Sequence, residues 1–228
     1  MQKIPTLFKK KYNDNGKYLG VIPEWNVKLD PNKFYAITVK WDGAACAIID
    51  GELYKRYDVK PGKKIPDGAI ICQSYDKDAK HNPCWVKCDR DNPSDKWHWA
   101  AFDKMIWYSF VTGMFKSTQF YKLTDWTYEL IGAHIQDNPY HCDSEYFIKH
   151  GSTITDILKP PYDLEKIYSS FKSLLNQKRI EGYVLWEIKD VDDIEIVQKE
   201  FLWGDGTKYL NKPVAKLRRK DFGYKWNE

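Results

Sequence analysis

A chain of 228 residues can bury one large core or two small ones, and its 43% hydrophobic and 30% charged residues exclude a disordered tail. A net charge of +4, spread along the chain, permits contact with a polyanion without demanding it. The opening MQKIPTLFKKKY has no signal-type apolar stretch and no run of about 18 apolar residues occurs anywhere, so a soluble, cytoplasmic protein with no membrane partner is expected.

The stretch KFYAITVK, residues 33–40, is dense in β-branched and aromatic residues and predicts a strand ending at Lys40. Two further strands, AACAIID and ELYKRYDV, flank Asp50-Gly51, a dipeptide that tolerates positive φ and predicts a tight hairpin turn. That hairpin folds Arg56 back towards Lys40. Gly, Pro, Asp and Lys dominate from Lys60 to Pro93, which reads as long loops around the short strand AIIC. Within them HNPCWVKC brings His81, Cys84 and Cys88 close in sequence, with His98 beyond. The spacing is compatible with zinc but lacks paired C-x2-C knuckles, so buried thiols in a Trp-rich loop are the competing reading. Five cysteines, an odd number with no small-scaffold spacing, argue for reduced thiols.

WHWAAFDKMIWY reads either as core or, with the basic run LRRKDFGYK, as a surface for RNA, since flat rings stack on bases and cations track phosphates. WTYELIGAHI (126–135) predicts a strand. DLEKIYSSFKSLLNQ then places Leu164, Ile167, Tyr168, Phe171, Leu174 and Leu175 at helical spacing behind Asp163 as N-cap. GYVLWEIKD (182–190), DIEIVQKEF and PVAKLRRKDFG supply the remaining strands, giving a β-rich α+β domain.

Charged residues recur at the ends of these strands. In Lys216-Leu217-Arg218 the strand period of two turns both cations to one face and Leu217 to the core. Glu129 and Glu181 offer carboxylates for a divalent cation or a ribose, and the glycines after Asp42, Ile131 and Glu181 leave room for a ligand to approach the backbone. Together these residues describe a site for a nucleotide polyphosphate.

The order K-x-D-G, strand arginine, E-L-I-G, E-G-Y-V-L and K-x-R resembles the motifs of covalent nucleotidyltransferases, the ATP-dependent RNA and DNA ligases and mRNA capping enzymes. ELIGAHIQDNPY, FIKHG, IEGYVLW and AKLRRKDFG are most similar to the small single-domain 5'-3' RNA ligases of animals and their viral and bacterial relatives, from about Lys40 to Gly223. The resemblance implies one nucleotidyltransferase domain spanning the chain, two antiparallel sheets with flanking helices around an ATP pocket, in a monomer. Only five residues follow Gly223, so no accessory OB-fold domain is expected.

The resemblance also implies a reaction. Lys40 attacks the α-phosphate of ATP and becomes adenylylated, AMP passes to an RNA 5'-phosphate, and a 3'-hydroxyl displaces AMP to seal the strand, with Mg2+ (Mn2+ as substitute) serving the transfers. A lysine attacks only when neutral, a state favoured by burial beside Lys216 and Arg218. Residue by residue, Asp42 resembles the aspartate that places lysine and metal, and Arg56 the contact to AMP ribose or nucleic-acid phosphate. Glu129 resembles the ribose carboxylate and Glu181 the metal-side carboxylate, while Lys216 and Arg218 match the phosphate contacts. Phe147 is chosen for stacking on adenine, with Tyr146 and Tyr140 as neighbours that fit the same role, and His150 stands either near the nucleotide or packed in its loop. The departure is Val39, where many ligases carry an acidic reader of the adenine amino group, so base recognition would pass to backbone groups. The alternatives are a capping-type guanylyltransferase, a DNA ligase, or an RNA-binding module that keeps the fold without the reaction.

Overall fold

Alternating small, β-branched and aromatic side chains from Phe34 to Lys40 form a strand with two usable faces, and the pairing of this strand organises half of the chain. The structure, a computed structural model, describes residues 3–72, 81–111, 125–177, 180–189, 191, 201–202, 208–209 and 213–225. In chain order its strands are β1 (Phe8–Tyr12), β2 (Tyr18–Trp25), β3 (Phe34–Lys40), β4 (Ala44–Ile49), β5 (Glu52–Val59), β6 (Ile70–Ile71), β7 (Asn82–Lys87), β8 (Trp126–Ile131), β9 (Tyr146–Lys149), β10 (Ile154–Leu158), β11 (Gly182–Ile188), β12 (Phe201–Leu202), β13 (Lys208–Tyr209) and β14 (Ala215–Arg218). The helices described are α1 (Lys96–Val111) and α2 (Leu164–Gln177), with 3-10 turns at Pro93–Asp95 and Arg219–Phe222. The architecture is α+β with antiparallel sheets and few helices.

Contacts divide the chain into two compact units built from discontinuous segments: Met1–Lys3, Asp42–His150 and Lys199–Asn211 in the first, Ile4–Trp41, Gly151–Gln198 and Lys212–Glu228 in the second. The first holds a six-stranded sheet in the order β6-β7-β5-β4-β8-β9. The β4–β5 hairpin turns through Asp50 (φ 53) and Gly51 (φ 78), with Ile49 opposite Glu52. Both central residues sit at positive φ, as a two-residue hairpin turn of this hand requires. One face of this sheet buries Ile48, Leu53, Trp126 and Tyr128, against which Trp99, Phe102 and Met105 of α1 pack.

The second unit holds a four-stranded sheet in the order β10-β3-β11-β14 and the β1–β2 hairpin. Tyr35, Ile37, Tyr183, Leu185, Ala215 and Leu217 form one face and pack on Ile167, Phe171 and Leu175 of α2. The Asp163 carboxylate accepts from Lys166 N at 2.9 Å and caps α2 as expected. The Arg219 guanidinium donates to Leu175 O near the other end of that helix and to Lys225 O, and the residue is 8% exposed. Arg219 therefore ties α2 to the C-terminal turn, and the basic run LRRKDFGYK is not a continuous RNA-facing surface. One of these acceptors, Leu175 O, is a last-turn carbonyl that α2 leaves without a helical partner.

Several elements differ from expectation. The strand expected over 126–135 stops at Ile131, because the chain turns there: Ile135 N donates back to Gly132 O at 3.1 Å, and Gln136, Asp137 and Asn138 follow at positive φ. The segment 82–87 is a strand, not loop, and WHWAAFDKMIWY lies in α1, where Trp99, Phe102 and Met105 serve as core. The strand expected at DIEIVQKEF lies mostly outside the described residues. No helix among the described residues is long and apolar enough to cross a membrane.

Candidate functional site

Pairing in the second unit aligns the candidate residues without any side-chain contact being assumed. Gly182 of β11 stands opposite Lys40 of β3 on one side and opposite Arg218 of β14 on the other, and Val184 likewise stands between Thr38 and Lys216. Residues opposite one another point to the same side, and so do residues two apart on one strand. Lys40, Lys216 and Arg218 therefore share the sheet face turned away from α2. Ala215 and Leu217 alternate with the two cations and are fully buried on the α2 side.

Lys40 Nζ donates to the carboxylate of Glu181, the residue just before β11, and both side chains are about one-fifth exposed, at 22% and 17%. Glu181 is itself placed by its carbonyl, which accepts from Arg219 N at 2.9 Å. Burial, reinforced by the Arg218 and Lys40 cations, lowers the Lys216 amine from 10.5 to about 8. Arg218 donates from Nη2 and Nε to Asp221 at 2.8 and 3.2 Å. Tyr18 also donates to Asp221, at 2.8 Å, and this buried carboxylate fixes the guanidinium. Three cations face two carboxylates, Glu181 and Asp221, which leaves the face able to accept an anion.

The glycines work differently from the expected ligand gaps. A Cβ on Gly182 would lie 2.0 Å from Leu217 O, and one on Gly43 would lie 2.2 Å from Leu130 O. Their missing side chains make room for the neighbouring strand's backbone. For Gly182 this is what lets β14 close in and bring Arg218 into the Lys40 row.

The other predicted residues belong to the first unit, apart from Val39. Val39 N donates to Thr153 O at 3.0 Å, so its amide is spent within the second unit and is not offered to a base. Asp42 N donates to the hydroxyl of Tyr140 at 2.6 Å, which anchors that side chain to the Asp42 backbone. Arg56 lies on β5 and is ion-paired with Asp58, two residues on, at 3.0 Å.

Glu129 is held firmly. His150 Nε2 lies 2.9 Å from its carboxylate while His150 Nδ1 lies 3.0 Å from Thr127 Oγ1, and the two paired side chains are 14% and 12% exposed. The histidine left open by the sequence is thus the partner that orients Glu129. Phe147 stands opposite Leu130, and Ile148 opposite Glu129. Phe147 accordingly packs with Tyr128 and Leu130 on the core side, and Ile148 shares the Glu129 face with Ala45 and Ile131.

The His81, Cys84, Cys88 and His98 set weighed for zinc does not assemble, and Cys84 and Cys88 are buried free thiols, as the competing reading has it. His81 is exposed and Cys84 donates to Tyr57 O, whereas the donor atoms of Cys88, His98 and Asp95 come within 4.8 Å of one another. Asp95 carried no signal in the sequence beyond its place before the Trp-rich segment.

No family model and no curated protein matches the chain. The functional reading therefore stands on the motif resemblance and on the geometry of these residues.

Proposed function

We propose that the protein is an ATP-dependent RNA ligase of the nucleotidyltransferase fold, joining 5'-phosphate to 3'-hydroxyl RNA ends through a lysyl-AMP intermediate on Lys40. The observation that supports this best is the row in the second unit: a lysine hydrogen-bonded to Glu181, with Lys216 and Arg218 on the same face. Segments far apart in sequence supply these groups, and their charge and order follow what the chemistry needs.

Lys40 starts as an ion pair with Glu181 and must give up a proton before its nitrogen attacks the α-phosphate. Glu181 touches Nζ and holds it in place, and the proton leaves to solvent. As the N–P bond forms and the bond to pyrophosphate breaks, Lys216 and the Asp221-fixed Arg218 offset charge on the phosphate oxygens and the leaving group. AMP then passes from Lys40 to the RNA 5'-phosphate as a phosphoanhydride, and the 3'-hydroxyl displaces it. Thr38, 1% exposed, accepts from Trp186 Nε1 at 2.9 Å and donates to Val184 O, which fixes β3 against β11 one row behind the nucleophile.

Mg2+ usually takes one or two carboxylates plus substrate phosphates, and within the second unit Glu181 would supply such a carboxylate. When bound, Mg2+ supplies charge neutralisation at the transferring phosphate. Glu129, oriented by His150, is the carboxylate for the ribose hydroxyls.

The test is incubation with ATP or GTP labelled at the α-phosphate, followed by 5'-phosphorylated RNA or DNA carrying a 3'-hydroxyl. Label from ATP that reaches RNA ends, with sealed product, is the expected result. Label from GTP alone would assign a capping-type reaction, sealing of DNA alone a DNA ligase, and no label an idle binding module.

A further inference from the structure

Cys88, Asp95 and His98 bring a thiol, a carboxylate and an imidazole together with donor atoms within 4.8 Å of one another. None has a part in the nucleotide reaction. Cys88 follows β7 directly, Asp95 closes the 3-10 turn, and His98 is the third residue of α1, so the group joins the end of a strand to the first turn of a helix. Cys88 and Asp95 are 3% and 1% exposed.

His98 Nδ1 is buried with no hydrogen-bond partner. A buried polar atom without a partner is costly, and a bound cation at the imidazole removes that cost. One sulfur, one nitrogen and one oxygen donor match zinc, whereas Mg2+ and Ca2+ demand oxygen ligands. We propose that Cys88, Asp95 and His98 form a zinc site of three protein ligands, with a water in the fourth position, that fastens β7 to α1.

The carboxylate is already oriented for such a role. Asp95 Oδ1 accepts from Lys55 Nζ and from Ser94 Oγ, and Oδ2 accepts from Asp89 N at 3.0 Å. Partners of this kind hold a ligand in place and tune its basicity. On binding, the Cys88 S–H proton leaves to solvent as the Zn–S bond forms. The two positive charges of the ion then balance the thiolate and the carboxylate, with Lys55 as the outer cation.

The test uses the full chain, freed of metal by chelation and titrated with Zn2+ or Co2+ alone. One ion per chain is expected, with about one proton released per ion from the thiol, and a thiolate-to-metal band with tetrahedral intensity in the Co2+ form. Cys88→Ser should abolish that band. His98→Gln should weaken binding by roughly 100-fold or more, beyond the 10–100-fold that loss of an outer partner costs. His98→Cys should keep the ion and add a second thiolate contribution, which keeps the test decisive if the glutamine variant folds poorly. Absence of a stoichiometric ion, a Co2+ form without the thiolate band, or Cys88→Ser and His98→Gln proteins that bind as tightly as the parent would overturn the assignment.

Discussion

Lys216 sits where burial and the Arg218 and Lys40 cations weaken its hold on a proton, lowering its pKa to about 8. A lysine in the unfolded chain keeps its proton to about 10.4, so between about pH 8 and that value the unfolded state binds more protons and this residue adds stability as pH rises. For the phosphate binding proposed for this residue the sign is opposite, since its cation is lost above about pH 8. ATP affinity, measured calorimetrically, should fall from pH 7 to 9 in the parent and hold in Lys216→Arg, whose guanidinium stays charged. Equal losses in both would remove Lys216 from the phosphate contacts. Asp221 gives a second prediction at this scale. It is 1% exposed and satisfies both Arg218 and Tyr18, so Asp221→Ala should cost about 3 kcal/mol in urea unfolding by leaving a half-buried cation without its counter-charge. The places of Lys40, Glu181 and Arg218 at strand ends were legible because strand composition and period mark them. Phe147 was not, because its side depends on the register between β8 and β9, which a 14-residue connection leaves unspecified in the sequence.

At the scale of elements, the site depends on β14 lying close against β11. Gly182 permits it, and Gly182→Ala drives a methyl into Leu217 O, so a destabilisation of about 2–3 kcal/mol is expected from the overpacking, read by thermal or urea unfolding. The same variant should lose nucleotide binding as Lys216 and Arg218 are pushed out of the Lys40 row. Wild-type stability and affinity in that variant would show that β14 has slack. Elements with a plain period or composition were readable from sequence: α2 shows its helical period, and β3 and the β4–β5 hairpin their strand composition and turn. Those without one were not. In β1 only Phe8 is buried and the remaining four residues are exposed, so no alternation marks the strand. In α1 aromatics surround the axis and no clean stripe stands out, while β7 carries Pro83 and two buried polar or thiol positions that look like loop.

At the scale of the whole molecule, the predicted residues fall into two sets. Lys40, Glu181, Lys216 and Arg218 belong to the second unit, and Asp42, Arg56, Glu129 and Phe147 to the first. Each set is locally ordered, the first by His150 on Glu129 and the second by the Lys40–Glu181 pair and by Asp221 on Arg218. The net charge of +4 is spread along the chain and singles out no surface; the cations concentrated on one sheet face of the second unit do. The proposed reaction turns on covalent adenylylation of Lys40. Its most direct test is the intact mass of the protein after incubation with ATP and Mg2+, followed by peptide mapping of the adduct. One AMP on Lys40, absent from Lys40→Ala and lost on adding pyrophosphate or 5'-phosphorylated RNA, is the predicted result; an adduct on another residue, or an unmodified parent under conditions where ATP binds, would contradict it.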